Sequence, residues 1–357
     1  MPKQIEKEIE CLYKKLYDEI ILMKFGKQLP SYRELLQKYD CSRQVLNKTL
    51  QKLRDEKVIK VQERVGMFSN LKTTKTHKKI IFAHIDWACE HIKYFGDKLS
   101  EYYSNRPNYT FIEMRYAPGP IKTFIEKLKD SNADLILFDM EDFSFDVFEC
   151  MGELTQKTIF FSSSINIKNI NAIDSLPYMT GMLAAQHFIN LNHTQIALVL
   201  SEPRLFSHRE RIYGFLDYLK LYNIKPVIID CKIKSGFSSA GMTLDFMNKY
   251  LAENSVNFTA CFALGDTSAL MIAEALKNYN IKIPQDVSLL GWGGEYIGND
   301  EKFNLSTISF DFEKTIDVTI KSIEQFFASG KCGIKRIPPI LIDKKSTTSN
   351  NRKTKLK

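Results

Sequence analysis

The sequence predicts a small α+β module at the N-terminus, followed by a larger α/β region of two subdomains with parallel sheets and flanking helices. Apolar residues in the first 70 positions show helical spacing and then a short hairpin pattern. From residue 80 onward, short apolar strands alternate with amphipathic helical stretches, which is typical of parallel sheets covered by helices. A chain of 357 residues is also too long for one ordinary hydrophobic core.

Three helices are predicted in the N-terminal module. The first is amphipathic, because apolar residues recur every three or four positions: Ile9, Leu12, Leu16, Ile20 and Met23. Ser31 and Glu34 form a capping box, which predicts a second helix that runs to about Tyr39. Ser42 caps a third helix that continues to about Asp55. Two short helices joined by a tight turn are typical of a helix-turn-helix.

The third helix has one apolar and one polar face. Leu46, Leu50 and Leu53 share the apolar face, and the polar residues form the opposite one: Gln44, Asn47, Lys48 and Gln51, with Arg43 in the exposed first turn. Residues 58–62 and 67–69 then flank Arg64-Val65-Gly66 as a short β-hairpin, or wing. The pattern predicts a winged helix-turn-helix domain.

Charge is divided unevenly along the chain. The net charge is +9 over residues 1–79, −7 over residues 80–343 and +6 over residues 344–357. A small basic module joined to a mildly acidic body is the distribution expected of a DNA-binding protein.

Several classes of protein are not favoured by the sequence. The seven cysteines are scattered without a C-x-x-C pair, so we expect reduced thiols and no metal site. Motifs for nucleotide, serine-hydrolase or zinc-protease chemistry are missing, so we expect neither an enzyme nor a bound cofactor. The charged N-terminus and the lack of a long apolar run predict a cytoplasmic protein without a membrane association.

Residues 29–68, LPSYRELLQKYDCSRQVLNKTLQKLRDEKVIKVQERVGMF, resemble the DNA-binding domain of the gluconate-repressor (GntR) family. This resemblance implies contacts with double-stranded operator DNA through one set of residues: Ser31, Arg33, Ser42, Arg43, Gln44, Asn47, Lys48, Arg64 and Gly66. Arg43 suits the O6 and N7 atoms of guanine, and Ser42 with the helix N-terminus suits a phosphate. Gly66 lets the wing approach the minor groove.

Two departures from the family pattern affect the expected operator. Val45-Leu46-Asn47 stands where the family often has Thr-Val-Arg, and Asn47 suits adenine. Arg64 replaces the first glycine of the wing and could enter a narrow, A/T-rich minor groove.

Strands of the larger region are predicted at nine places: 80–86, 109–115, 133–139, 158–163, 195–200, 226–230, 259–264, 287–292 and 339–343. We therefore expect the domain boundaries 1–69 for the winged helix-turn-helix, 70–79 for a linker, 80–343 for the effector and dimerisation domain and 344–357 for a basic tail. Within the large domain, we expect subdomain 1 at about 80–174 and 296–334, and subdomain 2 at about 175–295 and 335–343.

Residues 80–343 resemble the effector domain of the lac-repressor family, which is built like periplasmic sugar-binding proteins. The motifs are residues 174–197, Arg211-Ile212-Tyr213-Gly214-Phe215, Ala263-Leu264-Gly265-Asp266, residues 283–292 and the closing segments at 305–308 and 343–347. The resemblance implies a periplasmic-binding-protein-like fold whose chain crosses between subdomains near Asp174, Glu295 and Lys335. A GntR-type head on such a body is known among sugar-responsive regulators, including the arabinose repressors.

Ligands of such folds lie at the carboxyl ends of the strands, between the subdomains. The residues expected to contact an effector are Asp86, Trp87, Asp139, Ser162, Arg211, Asp266, Trp292 and Glu295. Arg211 matches the effector-binding arginine of the family, whereas Gly265 replaces its asparagine and Gly293-Gly294 replace two aspartates. The ligand is then an acidic or phosphorylated sugar, a larger glycan fragment or a molecule other than a sugar.

Together these features predict a homodimeric transcriptional regulator, of the repressor type, whose DNA affinity responds to a small molecule such as a sugar. One alternative is a DNA-binding regulator whose large domain dimerises and binds no ligand. A secreted sugar-binding protein would fit the large domain alone, but not the basic head.

Overall fold

The computed structural model describes residues 2–21, 23, 26–62, 65–70, 77–86, 90–117, 121–139, 145–161, 169–294 and 304–350. Four of the predicted site residues lie outside these ranges: Arg64, Trp87, Ser162 and Glu295. The chain divides into two compact units, one comprising residues 1–78 with 107–110 and the other comprising the remainder.

The head is a three-helix domain with a wing. Its elements are α1 (Pro2–Ile21), α2 (Tyr32–Tyr39), α3 (Arg43–Asp55), β1 (Ile59–Gln62) and β2 (Gly66–Ser69). The three helices pack around a core that includes Leu16, Leu35 and Leu46, each at most 1% exposed. Strands β1 and β2 pair antiparallel, as the hairpin pattern predicts.

The body begins with the strands and helices of the first sheet: β3 (Lys78–Ile85), α4 (Glu90–Ser104), β4 (Tyr109–Tyr116), α5 (Lys122–Asp130), β5 (Leu135–Asp139), α6 (Phe145–Met151), β6 (Thr158–Phe161) and β7 (Asn171–Asp174). A 3-10 helix spans Gly152–Lys157. The second group follows as α7 (Pro177–Asn190), β8 (Ile196–Leu200), α8 (Phe206–Leu221), β9 (Val227–Asp230), α9 (Ser239–Glu253), β10 (Ala260–Ala263), α10 (Asp266–Asn278), β11 (Ser288–Trp292) and β12 (Ser306–Ser309). The described chain closes with α11 (Phe312–Ser329), β13 (Ile334–Arg336) and β14 (Ile340–Ile342).

These strands form two six-stranded sheets. The first has the order β13-β7-β6-β5-β3-β4, and the second has the order β14-β12-β11-β10-β8-β9. Within the second sheet only β14 runs antiparallel, against β12, among the pairings described. Strands such as Ile196–Leu200 are buried along their whole length because helices cover both faces. The two-sheet α/β body with a small helical head confirms the predicted fold class.

The chain crosses between the sheets three times, and the second crossing differs from the expected one. The first crossing follows Asp174, as expected. Strand β12 pairs in parallel with β11, so residues 306–309 belong to the second sheet and the second crossing follows Ser309 rather than lying near Glu295. The last crossing lies between β13, which pairs with β7, and β14, which pairs with β12. Residues 335 and 336 therefore remain in the first subdomain.

The first part of the predicted basic tail is packed into the second subdomain. The backbone N–H of Leu289 donates to Ser346 O at 2.9 Å, and the Ser346 hydroxyl donates to Leu289 O at 2.5 Å. Ser346 is 3% exposed, and Asn350 N donates to Leu191 O at 2.8 Å. Residues 344–350 are therefore an integral part of the second subdomain, because their polar groups form hydrogen bonds with buried backbone groups.

Candidate DNA interface and effector cleft

Helix α3 presents the polar face that the sequence predicts. Arg43, Gln44, Asn47 and Lys48 are exposed, whereas Val45, Leu46, Thr49 and Leu53 of the same helix are buried. The buried side chains fix the helix against α1, so the orientation of the exposed face is set by the core of the head. Side chains of this kind on a rigid helix can reach base edges in a major groove.

Both helices of the helix-turn-helix begin with a serine cap. The Ser31 hydroxyl accepts from Glu34 N at 3.4 Å, and a Glu34 carboxylate oxygen accepts from Ser31 N at 2.6 Å, which completes the capping box. Ser42 Oγ accepts from Val45 N at 3.2 Å. Arg33 is exposed in the first turn of α2. The exposed Ser42 hydroxyl keeps its proton free to donate, so it can cap α3 and also bind a phosphate.

Gly66 is needed for the geometry of the wing. Its φ of +139° favours glycine, and a Cβ here would lie 2.7 Å from Gln28 Nε2. That same nitrogen donates to Val65 O at 3.1 Å, while Leu29 N donates to Met67 O at 2.8 Å. The segment before α2 is therefore hydrogen-bonded to one side of the wing through Gln28 and Leu29. Close approach of Gly66 to DNA remains a prediction.

Arg211 is buried beside Trp292 in the second subdomain. It belongs to α8 and is 1% exposed, and its Nη1 donates to Leu264 O at 2.9 Å. Its guanidinium carbon lies 3.5 Å from the centre of the Trp292 ring, a cation–π stack. Burial lowers the pKa of Arg211 to about 9, and the nearby carboxylates of Glu202 and Asp266 oppose that shift. Arg211 therefore stays charged at neutral pH.

The Asp266 carboxylate forms hydrogen bonds with two neighbouring segments of the second sheet. One carboxylate oxygen accepts from Gly294 N at 2.7 Å, and the other accepts from the Thr307 hydroxyl at 2.7 Å. Gly291 has to be glycine because a Cβ there would lie 2.2 Å from Asp266 Oδ1. The carboxylate thus joins the ends of β11 and β12, and its contact with an effector remains a prediction.

Glu202 is a cleft residue that the sequence analysis does not identify. It follows β8, and its carboxylate accepts from the hydroxyls of Ser239 at 2.7 Å and Ser268 at 2.8 Å. A Cβ on Gly265 would lie 2.6 Å from Glu202 Oε1. The space that the family's asparagine would fill is therefore taken by Glu202, which replaces an amide with a carboxylate. Its position directly after a buried strand was the available signal.

A small cavity lies at the carboxyl ends of the first sheet's strands. Its volume is about 80 Å³, and all three crossings between the subdomains contribute to its lining through Ser175, Phe310 and Ile337. Asp139 lines it from the end of β5, beside Phe161 of β6. Burial raises the pKa of Asp139, and His91 and His84 oppose this shift.

An aromatic cluster connects this cavity with the Arg211 side of the cleft. The ring of His91 lies 5.9 Å from that of Trp292 and 5.8 Å from that of Phe310, and the Trp292 and Phe310 rings are 5.4 Å apart. His91 and Phe310 were not identified from the sequence, because only the fold brings α4 and the second crossing together. The structure thus brings Asp139, Trp292, Arg211 and Asp266 to the two sides of one cleft.

Asp86 stands apart from that group. Its side chain is 62% exposed and lies 3.8 Å from the Arg115 guanidinium. It does not line the cavity described above. A contact between Asp86 and an effector remains a prediction.

Two family models match separate parts of the chain. Residues 9–68 match the model of the bacterial regulatory proteins of the gntR family, and residues 185–347 match that of the periplasmic binding protein-like domain. The head is a gntR-type regulatory domain. Contact of its exposed α3 face with DNA remains a prediction.

Curated relatives are regulators and repressors. The HTH-type transcriptional regulator DegA of Bacillus subtilis (strain 168) is 25% identical over 202 residues, which cover 54% of this chain and 57% of DegA. The HTH-type transcriptional repressor PurR of Pasteurella multocida (strain Pm70) is 24% identical over 173 residues, 48% of this chain and 51% of PurR. The chain spans about half the length of the curated relatives it matches. These relatives are not enzymes, in agreement with the expectation from the motifs.

Solved structures share the fold of the body. A lac repressor dimer bound to operator and the anti-inducer ONPF has a TM-score of 0.69 at 19% identity, covering 81% of this chain and 99% of that one. A LacI family regulator from Enterococcus faecium with bound ribose has a TM-score of 0.63 at 19% identity, covering 76% of this chain and 99% of that one.

Two absences concern the described residues alone. No helix among them combines the length and apolar character needed to cross a bilayer. Nor do the described side chains contain a group of three or more metal-ligating residues.

Proposed function

We propose that this protein is a cytoplasmic, ligand-responsive transcriptional repressor that binds operator DNA as a homodimer. The observation that carries the proposal is the exposed polar face of α3, which stands on a capped, well-packed helix-turn-helix of the gntR type. DNA-binding domains of this kind place such a helix in the major groove, and two copies read the two halves of a near-palindromic site.

A small molecule in the cleft is proposed to regulate DNA binding. The cleft lies where parallel-sheet proteins bind ligands, and the chain crosses beside it three times, so a ligand there can bias the relative orientation of the two subdomains. The sequence predicts a sugar or a sugar derivative. A solved relative with bound ribose supports a sugar-sized effector, and another solved with both operator and anti-inducer supports coupling between the sites.

Replacement of Arg43 by Ala tests the DNA interface. The variant loses a guanidinium on the exposed first turn of α3, and we expect operator affinity to fall by about 1–3 kcal/mol with relaxed sequence preference. The operator is first selected from a random DNA pool with the full chain, and affinities are then measured at one fixed salt concentration.

Lys14→Ala is the matched control for this experiment. Lys14 is exposed on the side of α1 opposite to Leu12 and Leu16, so this variant removes one positive charge from the same domain. Its operator affinity should change much less than that of Arg43→Ala. Equal losses in the two variants would show that charge alone, and not the α3 face, determines binding.

A further inference from the structure

The cavity at the cleft has an aromatic, apolar lining. Five of its side chains are phenylalanines: Phe82, Phe95, Phe161, Phe310 and Phe312. The rings of Phe95 and Phe161 lie 5.0 Å apart, and those of Phe310 and Phe312 lie 5.8 Å apart. A molecule with a hydroxyl on every carbon would lose its hydrogen bonds to water here without enough partners to replace them.

Polar side chains in the described lining are few: His91, Asp139, Ser175 and Thr315. Asp139 is the only carboxylate, and no lysine or arginine belongs to the described lining. The guanidinium of Arg211 is covered by Trp292 and shares its surroundings with Glu202 and Asp266. The described lining therefore offers an anionic ligand no lysine or arginine, and His91 is its one described imidazole. An ammonium group would give Asp139 a charge-assisted hydrogen bond that offsets its burial.

Size points to how such a ligand would act. The cavity of about 80 Å³ is smaller than the roughly 150 Å³ that holds a benzene ring, so an aromatic ligand has to displace part of the lining. Phe310 and Phe312 flank the second crossing, and Phe310 also contacts His91 and Trp292. Displacement of these two rings would move the segment that joins the subdomains. A small change in such a joining segment can alter the relative orientation of the subdomains.

We propose that the effector is a compact molecule with an apolar or aromatic body and a single amino group directed at Asp139, rather than an anionic or polyhydroxylated sugar. The proposal rests on the proposed function, since it names the ligand class of the same cleft. It departs from the sugar that the sequence predicts, because the lining described by the structure is aromatic and acidic.

The test is calorimetric titration of the full-length protein with three probes that differ in one group: 2-phenylethylamine, 2-phenylethanol and phenylacetate. D-ribose and glucose 6-phosphate serve as sugar probes. We expect the amine to bind about tenfold or more tightly than the alcohol, with phenylacetate weakest. Because the unmodified protein is used, this ranking does not depend on the folding of any variant. Equal affinities for the three aromatic probes, or binding of a sugar probe alone, would overturn the proposal.

Asp139→Asn then locates the amino group. This variant should lose most of the preference for the amine over the alcohol. Asp130→Asn should retain the preference, because Asp130 is exposed at the end of α5. It therefore precedes the amino end of β5, whereas Asp139 lies at the carboxyl end of that strand. A retained preference in Asp139→Asn would contradict the assignment.

Operator binding is measured on the same samples to separate this proposal from the proposed function. If no probe binds but the protein selects an operator, the ligand class is wrong and the DNA-binding function stands. If the protein selects no DNA sequence, the proposed function itself fails.

Discussion

Buried charge at Arg211 is tolerated because several different contacts replace its water. Arg211 is among the largest fully buried side chains described, and it has a carbonyl acceptor, an indole face and two nearby carboxylates. Its Nε is buried without a hydrogen-bond partner. These contacts offset much of the free-energy cost of burying the guanidinium, although one of its nitrogens lacks a partner. In an apolar pocket without them, burial of this charge would strongly destabilise the fold. The cleft thus has a fixed positive charge behind Trp292 and negative groups around it.

His208 provides a pH prediction at this scale. Its Nδ1 donates to Pro203 O at 2.6 Å, and burial, aided by the charge of Arg211, lowers its pKa to about 3 from the ordinary 6.5. His208 is therefore neutral in the folded protein but takes up a proton in the unfolded chain below about pH 6.5. Folding stability is consequently lost as the pH falls from about 6.5 toward 3.

Replacement of His208 by Gln should reduce this loss. Between about pH 4 and 6 the free energy of unfolding of the variant should fall less steeply, by up to about 1.4 kcal/mol per pH unit. Urea denaturation at several pH values measures the slope. An unchanged slope in His208→Gln would mean that the histidine is protonated in the folded protein as well.

At the scale of elements, α7 and α8 pack with their backbones in contact. A Cβ on Gly181 would lie 1.9 Å from Arg211 O, and one on Gly214 would lie 1.9 Å from Tyr178 O. The crossing of these two helices places Arg211 against the cleft, so the glycines help to set the position of the site. Ridges of larger side chains would hold the helices farther apart.

Gly214→Ala should therefore destabilise the body by about 2 kcal/mol or more, because the added methyl group overlaps a backbone carbonyl. Gly241→Ala in α9 is the matched control, since its nearest neighbour would be Ser238 Oγ at 4.0 Å. That change should be neutral or stabilise the protein by up to about 1 kcal/mol. Denaturant unfolding compares the two, and a mild effect of Gly214→Ala would show that the helices can separate at little cost.

Local signals predicted most elements, whereas contacts distant in sequence were missed. The capping box at Ser31 and the cap at Ser42 located α2 and α3 to the residue, because helix starts depend on neighbouring side chains. All nine predicted strands are present, but three short ones were not identified: Asn171–Asp174, Ser306–Ser309 and Ile334–Arg336. Segments of three or four residues have too little periodicity, and their pairing partners determine their structure.

The same distinction applies to the candidate site. Arg211 belongs to a local motif, whereas Glu202 has the weaker signal of following a buried strand, and its contact with Gly265 joins positions 63 residues apart. His91 and Phe310 come from different parts of the chain and meet only in the folded body. Pairing of this kind has no signature in a single sequence.

For the whole molecule, the separation of charge along the chain predicts different salt responses for the two kinds of binding. Residues 1–79, the head with its linker, carry a net charge of +9, whereas residues 80–343 carry −7. A dimer that neutralises about six to ten phosphates should lose roughly 10³- to 10⁵-fold in operator affinity between about 50 and 200 mM salt. Affinity for 2-phenylethylamine, which carries a single charge, should change much less over the same range. Titrations at several salt concentrations measure both, and a flat response of operator binding would argue against phosphate contacts by the head.

The order in which the strands enter the two sheets has a consequence for synthesis of the protein. Strand β7 ends at Asp174, but its partner β13 begins only at Ile334. At about 5–20 residues per second, a ribosome needs roughly 10–30 s to make the chain between them. During that interval the edge of β7 has no β13 to pair with, and an open edge of this kind invites pairing with other chains. Nascent copies of this protein are therefore expected to need protection by chaperones until the final strands emerge.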